Sequence, residues 1–250
     1  MDKAVIFGGA GEGSGQAISR RFARTMHVVI ADLDERRARA LARDIREENG
    51  SAESVIADAR DATEVAKALR AGSQTGPLRV VVNNASAVDA FDGIGPLDQW
   101  DRFLDVDFGG TVRATRLAVD ILKAAGGGAI VNVSSTSALQ LRRQGGSAMY
   151  DACKLAVLLL SLRLDVLAKE NVRVNCIIPH WIAVPHIVEF VNGLSVQERA
   201  DYGVPDRLIP VEEIAEAMYA LATDPNKAGV AIVWPNGNAP RELEPKDIRM

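Results

Sequence analysis

The chain has 250 residues, 48% of them hydrophobic, which is enough to bury the core of one or two compact α/β domains. Its 29 basic and 33 acidic residues give a net charge of −4, so no nucleic acid or membrane partner is expected. The two cysteines, Cys153 and Cys176, cannot form a disulfide framework, and no Cys/His spacing indicates a metal site. No apolar stretch has the length of a membrane span or of a signal segment. We expect a cytoplasmic protein whose partners are a small-molecule substrate and other copies of the chain.

Short runs rich in β-branched residues recur along the chain and are predicted to be about seven strands. The segments between them, such as 34–48 and 61–71, have apolar residues three and four positions apart and are predicted to be amphipathic helices. Strands separated by helices pair in parallel, which predicts an α/β fold with a doubly wound parallel sheet, forming a single domain over residues 1–234. The polar residues 235–250 are predicted to form an extended C-terminal tail. The predicted strands are residues 3–7, 27–31, 53–57, 79–83, 129–133, 172–178 and 230–234.

The segment FGGAGEGSGQAI follows the first predicted strand and opens the first predicted helix. A glycine-rich turn at this place lets backbone N–H groups approach a pyrophosphate at the positive end of a helix. The spacing is Gly9-x-x-x-Gly13-x-Gly15 rather than G-x-G-x-x-G, so a tight connection that binds no ligand is the alternative.

Asp32 ends the second predicted strand, at about the distance from Gly15 at which an acidic residue contacts the adenosine ribose of NAD. A carboxylate there accepts hydrogen bonds from the ribose 2′-OH and repels a 2′-phosphate, which favours NAD over NADP. Arg36 and Arg37 are the contrary signal, because a guanidinium could hold that phosphate. On a helix that begins DERRAR they are also typical of a solvated face.

Three further motifs follow in order: NNAS at 83–86, NVSS at 132–135 and Tyr150-x-x-x-Lys154. Together with the glycine turn they resemble the short-chain dehydrogenase/reductase family, from about residue 3 to residue 233. The resemblance implies a Rossmann-like fold, a nicotinamide cofactor and oxidoreductase activity. The catalytic residues that it implies are Ser135, Tyr150, Lys154 and Asp107. The cofactor-binding residues that it implies are Gly9, Gly13, Gly15, Asp32, Asp58 (at adenine), Asn84, Tyr150, Lys154 (at the nicotinamide ribose) and Pro179.

Tyr150 and Lys154 lie four positions apart, so they share one face of a helix. The ammonium and the positive nicotinamide are expected to lower the phenol pKa from its usual value near 10. Tyr150 would then be the general base in alcohol oxidation and the general acid in the reverse reaction, although an ordinary helix packing pair is the alternative. Ser135 is expected to donate a hydrogen bond to the substrate oxygen as charge develops on it. Ser137 is the alternative serine, because the connection to Tyr150 is slightly longer than is usual in the family.

Several positions depart from the family pattern. Gly8 and Ser86 replace a Thr and a Gly, and both are expected to be tolerable backbone changes. Asp107 replaces an Asn that helps to hold a proton-relay water near the lysine. Its charge is expected to favour the Lys154 ammonium and to oppose the Tyr150 phenolate.

The segment PHWIAVP at 179–185 resembles the family segment that leads to a Thr on the cofactor carboxamide, but Val184 has no hydroxyl. His180 could contact substrate or cofactor, or be a structural residue. Cys153 is expected to be a small packing residue rather than a nucleophile. Arg142 and Arg143 could pair with an anionic group of the substrate or be solvated. The apolar candidates for the substrate pocket are Val88, Phe91, Leu139, Leu141, Trp181 and Phe190.

The run 155–168 is apolar on most of its circumference and is expected to be buried, in part by another subunit. This burial predicts a homo-oligomer, either a dimer or a tetramer.

Taken together, these features of the sequence predict an NAD-dependent enzyme that interconverts a secondary alcohol and a ketone by hydride transfer. The alternatives are an epimerase or lyase that uses Ser135 and Tyr150, and an NAD-sensing interaction protein with little turnover.

Overall fold

The computed structural model describes residues 1–87, 95–139, 147–235 and 238–243. The strands are β1 (Lys3–Phe7), β2 (His27–Asp32), β3 (Ser51–Ile56), β4 (Leu78–Asn83), β5 (Gly128–Val133), β6 (Val172–Ile178), β7 (Ala231–Val233) and β8 (Arg241–Glu242). They form one sheet in the order β3-β2-β1-β4-β5-β6-β7-β8. All neighbouring strands from β3 to β7 are parallel, and β8 is antiparallel to β7.

Helices separate the parallel strands, as crossovers between parallel strands require. The α-helices are α1 (Ser14–Ala23), α2 (Glu35–Glu47), α3 (Ala62–Ala71), α4 (Leu97–Phe103), α5 (Thr111–Ala124), α6 (Ala148–Arg163), α7 (Pro185–Gly193), α8 (Val196–Asp201) and α9 (Val211–Thr223). A π-helical turn, Leu104–Gly110, joins α4 to α5, and 3₁₀ turns occupy Thr136–Leu139 and Leu164–Glu170. No helix in the described ranges is both long and apolar enough to cross a bilayer.

The central strands are buried on both faces, which explains their continuous apolar runs. In β1, Ala4 and Ile6 belong to the core on the side of α1, α2 and α9, whereas Val5 and Phe7 belong to the core on the side of α3 and α5. Alternate residues of one strand thus stabilise both layers of helices, and the sheet is a rigid platform for the loops at its edge.

All seven predicted strands form, with boundaries shifted by at most two residues. The eighth strand, β8, lies within the segment predicted to be an extended tail. The apolar run 155–168 differs from expectation, because α6 ends at Arg163 and the remainder forms a 3₁₀ turn. Its burial is also incomplete in a single chain, since Leu159 is 48% and Val166 is 59% exposed.

The carboxyl ends of the parallel strands meet at one edge of the sheet. The glycine turn follows β1, Asp32 ends β2, Asn84 follows β4 and Pro179 follows β6. The strand order reverses at the β1–β4 neighbours, and open α/β sheets bind ligands in the crevice at such a reversal.

Candidate active site

The glycine turn between β1 and α1 is compact. Gly8 N–H donates to Ala31 O at 2.8 Å, and a Cβ on Gly15 would lie 2.3 Å from Gly8 O. Gly13 has φ of +89°, and a Cβ there would lie 2.6 Å from Val184 Cγ1. The turn ends at the start of α1, where backbone N–H groups attract an anion, so it fits a pyrophosphate. Val184, however, places a methyl group against the turn where the family pattern has a hydroxyl.

Asp32 lies at the opening of this turn. Its carboxylate accepts hydrogen bonds from Ala10 N–H at 2.9 Å and from Asp34 N–H at 3.0 Å. Arg37 points into the same region, but its guanidinium is held by Asp34 at 2.6 Å and by Glu12 at 3.5 Å. The hydrogen bonds from Arg37 lower the pKa of Asp34, and Asp34 in turn raises the pKa of Arg37. Two carboxylates, those of Asp34 and Glu12, therefore pair with the Arg37 guanidinium.

Asn84 and Pro179 tie the strand ends together. Asn84 Nδ2 donates to Gly8 O at 3.0 Å, which fixes the segment after β4 against the glycine turn. The carbonyl of Pro179 accepts a hydrogen bond from Thr136 N–H at 3.0 Å, which joins the ends of β6 and β5. These contacts place both residues at the edge where the sequence predicts the cofactor.

Asp58, which the family resemblance places at adenine, is already engaged within the protein. Its carboxylate binds the guanidinium of Arg60 at 2.6 Å, and its N–H donates to Glu64 at 2.7 Å. The hydrogen bond from Arg60 is the main reason why the pKa of Asp58 is lowered. An adenine contact would therefore be made by a carboxylate that is charged and oriented by Arg60.

Tyr150 enters the site from the first turn of α6. Ser147 caps this helix by accepting a hydrogen bond from Tyr150 N–H, and Phe103 packs edge-on against the phenol ring with centroids 5.7 Å apart. Hydrogen bonding to Ser135 acts to lower the pKa of the phenol. Ser137 instead supports Ser135, because its hydroxyl and its N–H both donate to Ser135 Oγ, at 3.0 and 3.2 Å. Of the two candidate serines, Ser135 is the one that acts on the pKa of Tyr150.

Lys154 lies one turn further along α6, with its ammonium 5.4 Å from the centre of the Tyr150 ring. Nζ contacts Asp107 Oδ1 at 2.9 Å and Val133 O at 3.3 Å. Both side chains of the ion pair are buried, with 4% of Lys154 and 0% of Asp107 exposed. Burial is the largest influence and acts to lower the pKa of Lys154, but Asp107 and Tyr150 together outweigh it, and the pKa is raised.

In the protein without cofactor the pKa of Tyr150 is raised, whereas the lowering expected from the sequence also included the positive charge of the bound nicotinamide. Burial of the phenol is the largest cause, and the Asp107 carboxylate adds to it. Lys154 and the hydrogen bond with Ser135 act in the lowering direction, as predicted, but they do not prevail. The protein's own groups therefore hold Tyr150 as a neutral phenol.

The sequence did not anticipate a role for Ser86. Its hydroxyl donates to Asp107 Oδ1, and the adjacent Ala87 N–H donates to Asp107 Oδ2 at 2.9 Å. Ser86 and Asp107 both depart from the family pattern, but nothing in the sequence indicates that their side chains are in contact. Elsewhere, Cys153 is buried and its pKa is raised by burial to about 11, which agrees with a packing residue.

The predicted substrate pocket is described in part. Trp181 stacks on Phe190 with ring centroids 6.1 Å apart, beside the segment that follows β6. Leu139 packs against the small cluster formed by α6, β6 and β7. The other candidates lie outside the described residues: Val88, Phe91, Leu141, Arg142 and Arg143.

Comparison with known proteins gives consistent matches. A family model described as short chain dehydrogenase matches residues 3–192. The chain is 34% identical over 231 residues to cis-4-hydroxycyclohexanecarboxylate dehydrogenase of Sinomonas cyclohexanicum, covering 89% of this chain and 90% of that protein.

Solved structures with the same fold have been determined with either nicotinamide dinucleotide. A 3-oxoacyl-[acyl-carrier protein] reductase with bound NAD from Brucella melitensis is 25% identical, with a TM-score of 0.81 over 95% of this chain and 90% of that one. A protein from Beutenbergia cavernae described as an NAD(P)-dependent gluconate 5-dehydrogenase, with NADP bound at low occupancy, is 27% identical, with a TM-score of 0.81 over 94% and 96% of the two chains. The family model covers most of the sequence, and the fold agrees over nearly all of it. The chain belongs to the short-chain dehydrogenase/reductase family of oxidoreductases, which bind a nicotinamide cofactor.

Proposed function

We propose that the protein is an NAD(H)-dependent oxidoreductase that interconverts a secondary alcohol and a ketone, with Tyr150 as the general acid and base. The observation that carries the proposal is the position of the Lys154 ammonium, 5.4 Å from the centre of the Tyr150 ring, with Ser135 acting on the pKa of the same phenol. A proton donor, a hydroxyl and a cation are brought together at the edge of the sheet that also holds the glycine turn.

The cofactor, when bound, supplies or accepts the hydride. Gly9, Gly13 and Gly15 would approach its pyrophosphate, and Asp32 would accept hydrogen bonds from the adenosine ribose. The remaining residues that would hold it are Asp58, Asn84, Pro179, Tyr150 and Lys154.

The catalytic side chains handle the proton and the charge on the substrate oxygen. In the oxidation, Tyr150 takes the proton of the alcohol, and in the reduction it returns that proton to the carbonyl oxygen. Ser135 donates a hydrogen bond to that oxygen as negative charge develops on it, which is worth about 3 kcal/mol in comparable sites. Asp107 orients Lys154, whose ammonium stabilises negative charge on the phenol oxygen.

The preference for NAD rests on Asp32 and Arg37. The Asp32 carboxylate lies at the opening of the glycine turn, where a 2′-phosphate would meet its negative charge. Arg37 is engaged by two carboxylates, so binding a phosphate would require it to leave them. Both features oppose NADP.

The substrate class follows from the pocket and from the relatives. Trp181 stacks on Phe190 beside the segment that follows β6, and an aromatic pair at this place would suit an apolar or alicyclic carbon skeleton. One relative at 34% identity is a dehydrogenase for cis-4-hydroxycyclohexanecarboxylate. A ring-borne secondary alcohol with a carboxylate is therefore the first substrate to test.

We also propose that the working form is a homo-oligomer in the cytoplasm. Leu159 of α6 and Val166 of the following turn are 48% and 59% exposed in the single chain. A second copy of the chain would cover this apolar surface.

The test combines cofactor binding with turnover. NADH and NADPH are titrated by nicotinamide fluorescence, and a panel of ring-borne, aliphatic and sugar alcohols and ketones is assayed with the wild type and with Tyr150→Phe. Tyr219→Phe is the matched control, because Tyr219 lies on α9 in contact with Phe22 and Arg21. We expect NADH to bind all three proteins and only Tyr150→Phe to lose turnover. Tight NADH binding without turnover on any alcohol or ketone would favour an NAD-sensing protein, and turnover retained by Tyr150→Phe would contradict the proposal.

A further inference from the structure

The carboxylate of Asp107 is fixed by donors from two other parts of the fold. The Lys154 ammonium of α6 and the Ser86 hydroxyl both contact Oδ1, while Ala87 N–H donates to Oδ2 at 2.9 Å. Asp107 itself lies in the π-helical turn and is 0% exposed. A carboxylate held by one cation and two hydrogen bonds in a buried site has a single orientation, and its charge is poorly screened.

The main-chain carbonyl of Asp107 is engaged as well. It accepts a hydrogen bond from the Thr111 hydroxyl at 2.9 Å. In the family pattern, an Asn at this position helps to hold a relay water near the lysine. Here the charged side chain itself reaches Lys154 directly, so a fixed anion stands next to the ammonium.

This anion changes what Lys154 does to Tyr150. A lone ammonium favours the phenolate, but an ammonium paired with a buried carboxylate has much less net effect. Burial is the largest influence on the pKa of Tyr150 and raises it, Lys154 follows in the lowering direction, and Asp107 offsets part of the effect of Lys154. Asp151 adds in the same raising direction.

The packed elements also carry two thiols and several exposed charges. Cys153 of α6 and Cys176 of β6 are neutral thiols, with pKa values raised by burial to about 11 and about 12. On α4, which also packs against α6, the charged residues are exposed: Asp98, Asp101 and Arg102.

We propose that Ser86 and Asp107 act as a pair of positioning residues that keep the Tyr150 phenol protonated, so that the site reduces a carbonyl across the neutral range and oxidises an alcohol only at alkaline pH. The inference rests on the proposed function. In the reduction, the carbonyl carbon gains a hydride from NADH, the oxygen gains the Tyr150 proton, and the phenolate is reprotonated from water. Ketone, NADH and a proton thus become alcohol and NAD⁺.

The first experiment reads the ionisation of Tyr150 without any substrate. The chain has three tyrosines, so the near-ultraviolet absorbance of tyrosinate in the wild type minus that in Tyr150→Phe isolates one of them. Each absorbance is read immediately after a pH jump, before the protein unfolds. We expect a midpoint above about 10, the ordinary value of tyrosine. Asp107→Asn should lower this midpoint by about one unit or more, and Ser86→Ala should lower it by less.

Asp105→Asn is the matched control, because Asp105 lies in the same π-helical turn but is 54% exposed and faces Arg113. It should leave the midpoint unchanged. A wild-type midpoint at or below the ordinary value, or a midpoint that does not fall in Asp107→Asn, would overturn the proposal. If Asp107→Asn does not fold, the midpoint of Ser86→Ala provides the test. A midpoint that does not fall in Ser86→Ala would then overturn the proposal.

The second readout is the pH profile of turnover in each direction. The alkaline limb on which oxidation rises and reduction falls should move to lower pH in Asp107→Asn by the same shift as the titration. A purely structural role for Asp107 would change the rates without moving that limb. Turnover retained by Tyr150→Phe would refute the proposed function itself, whereas an unmoved limb in Asp107→Asn would refute only the role of the pair.

Discussion

The carboxylate of Asp32 accepts a hydrogen bond from Ala10 N–H at 2.9 Å and so joins the end of β2 to the glycine turn. In the proposed cofactor complex the same carboxylate would also face the adenosine ribose, which would couple the shape of the cofactor site to its charge. We expect Asp32→Ala to weaken NADH binding and to raise the NADPH-to-NADH affinity ratio about tenfold, since a charge repelling the 2′-phosphate is lost. Fluorescence titration of both dinucleotides measures the ratio.

Glu35→Ala is the control for that substitution, because Glu35 is an exposed carboxylate on the first turn of α2 that pairs with Arg39. It should leave the ratio unchanged. An unaltered ratio in Asp32→Ala would refute the role of Asp32 in cofactor choice.

Gly13 is a sensitive position of the glycine turn. Gly13→Ala combines an unfavourable φ of +89° with a contact at 2.6 Å to Val184 Cγ1. We expect it to destabilise the fold by roughly 2–4 kcal/mol and to abolish NADH binding. Gly203→Ala separates the two causes, because Gly203 has φ of +63° with nothing within 4 Å of its would-be Cβ. Chemical denaturation should show a loss of only about 1 kcal/mol there.

The double variant Gly13→Ala with Val184→Ala should recover part of the lost stability, since it removes the contacting methyl groups. Equal losses in Gly13→Ala and Gly203→Ala would contradict a close approach of Val184 to the turn.

Ser135 and Ser137 are expected to differ sharply in their effect on turnover. Ser135→Ala removes the hydroxyl proposed to donate to the substrate oxygen and should lower kcat about 10²–10³-fold with NADH binding intact. Ser137→Ala removes only the support of Ser135 and should cost less than about tenfold. Steady-state kinetics on the best alcohol or ketone of the panel compares them. A larger loss in Ser137→Ala would reverse the assignment.

Both cysteines are expected to be unreactive in the native state. Burial raises the pKa of Cys153 to about 11 and that of Cys176 to about 12, so both thiols stay protonated until the solution is strongly alkaline. Because the thiolate is the reactive form, a thiol reagent at neutral pH should label the folded protein at least about 100-fold more slowly than the unfolded protein. Rapid labelling of Cys153 in the native state would indicate a nucleophile instead.

The exposed apolar surface of α6 predicts self-association. Leu159→Lys should shift the protein towards monomer in analytical ultracentrifugation, since a charge would be placed in the expected contact. Val196→Lys is the control, because Val196 is 87% exposed on α8. A wild type that is monomeric at every concentration would refute the proposed homo-oligomer.

Much of the fold could be predicted from sequence because its signals are local. A strand buried on both faces needs a continuous apolar run, and central strands such as β1 and β4 contain such runs, whereas the edge strand β3 is only partly buried. The positions of Asp32, Ser135 and Tyr150 follow from their place at strand ends or on a helix. The eighth strand was not predicted, since two exposed residues, Arg241 and Glu242, carry no strand pattern.

The electrostatics of the site could not be predicted in the same way. Ser86 and Asp107 are 21 residues apart, and they meet only because a π-helical turn directs Asp107 towards the segment after β4. The raised pKa of Tyr150 depends on how deeply the phenol is buried, which no local spacing reports. Both properties arise from tertiary packing.

The short strand β8 has a consequence for the solubility of the chain. By pairing with Ile232 and Val233 it occupies the backbone groups of β7, the last parallel strand, and Leu243 covers the apolar cluster beside it. A truncation after Trp234 would leave that strand with open N–H and C=O groups next to uncovered aliphatic side chains. Such an edge recruits strands from other molecules, so we expect the loss of β8 and Leu243 to promote aggregation.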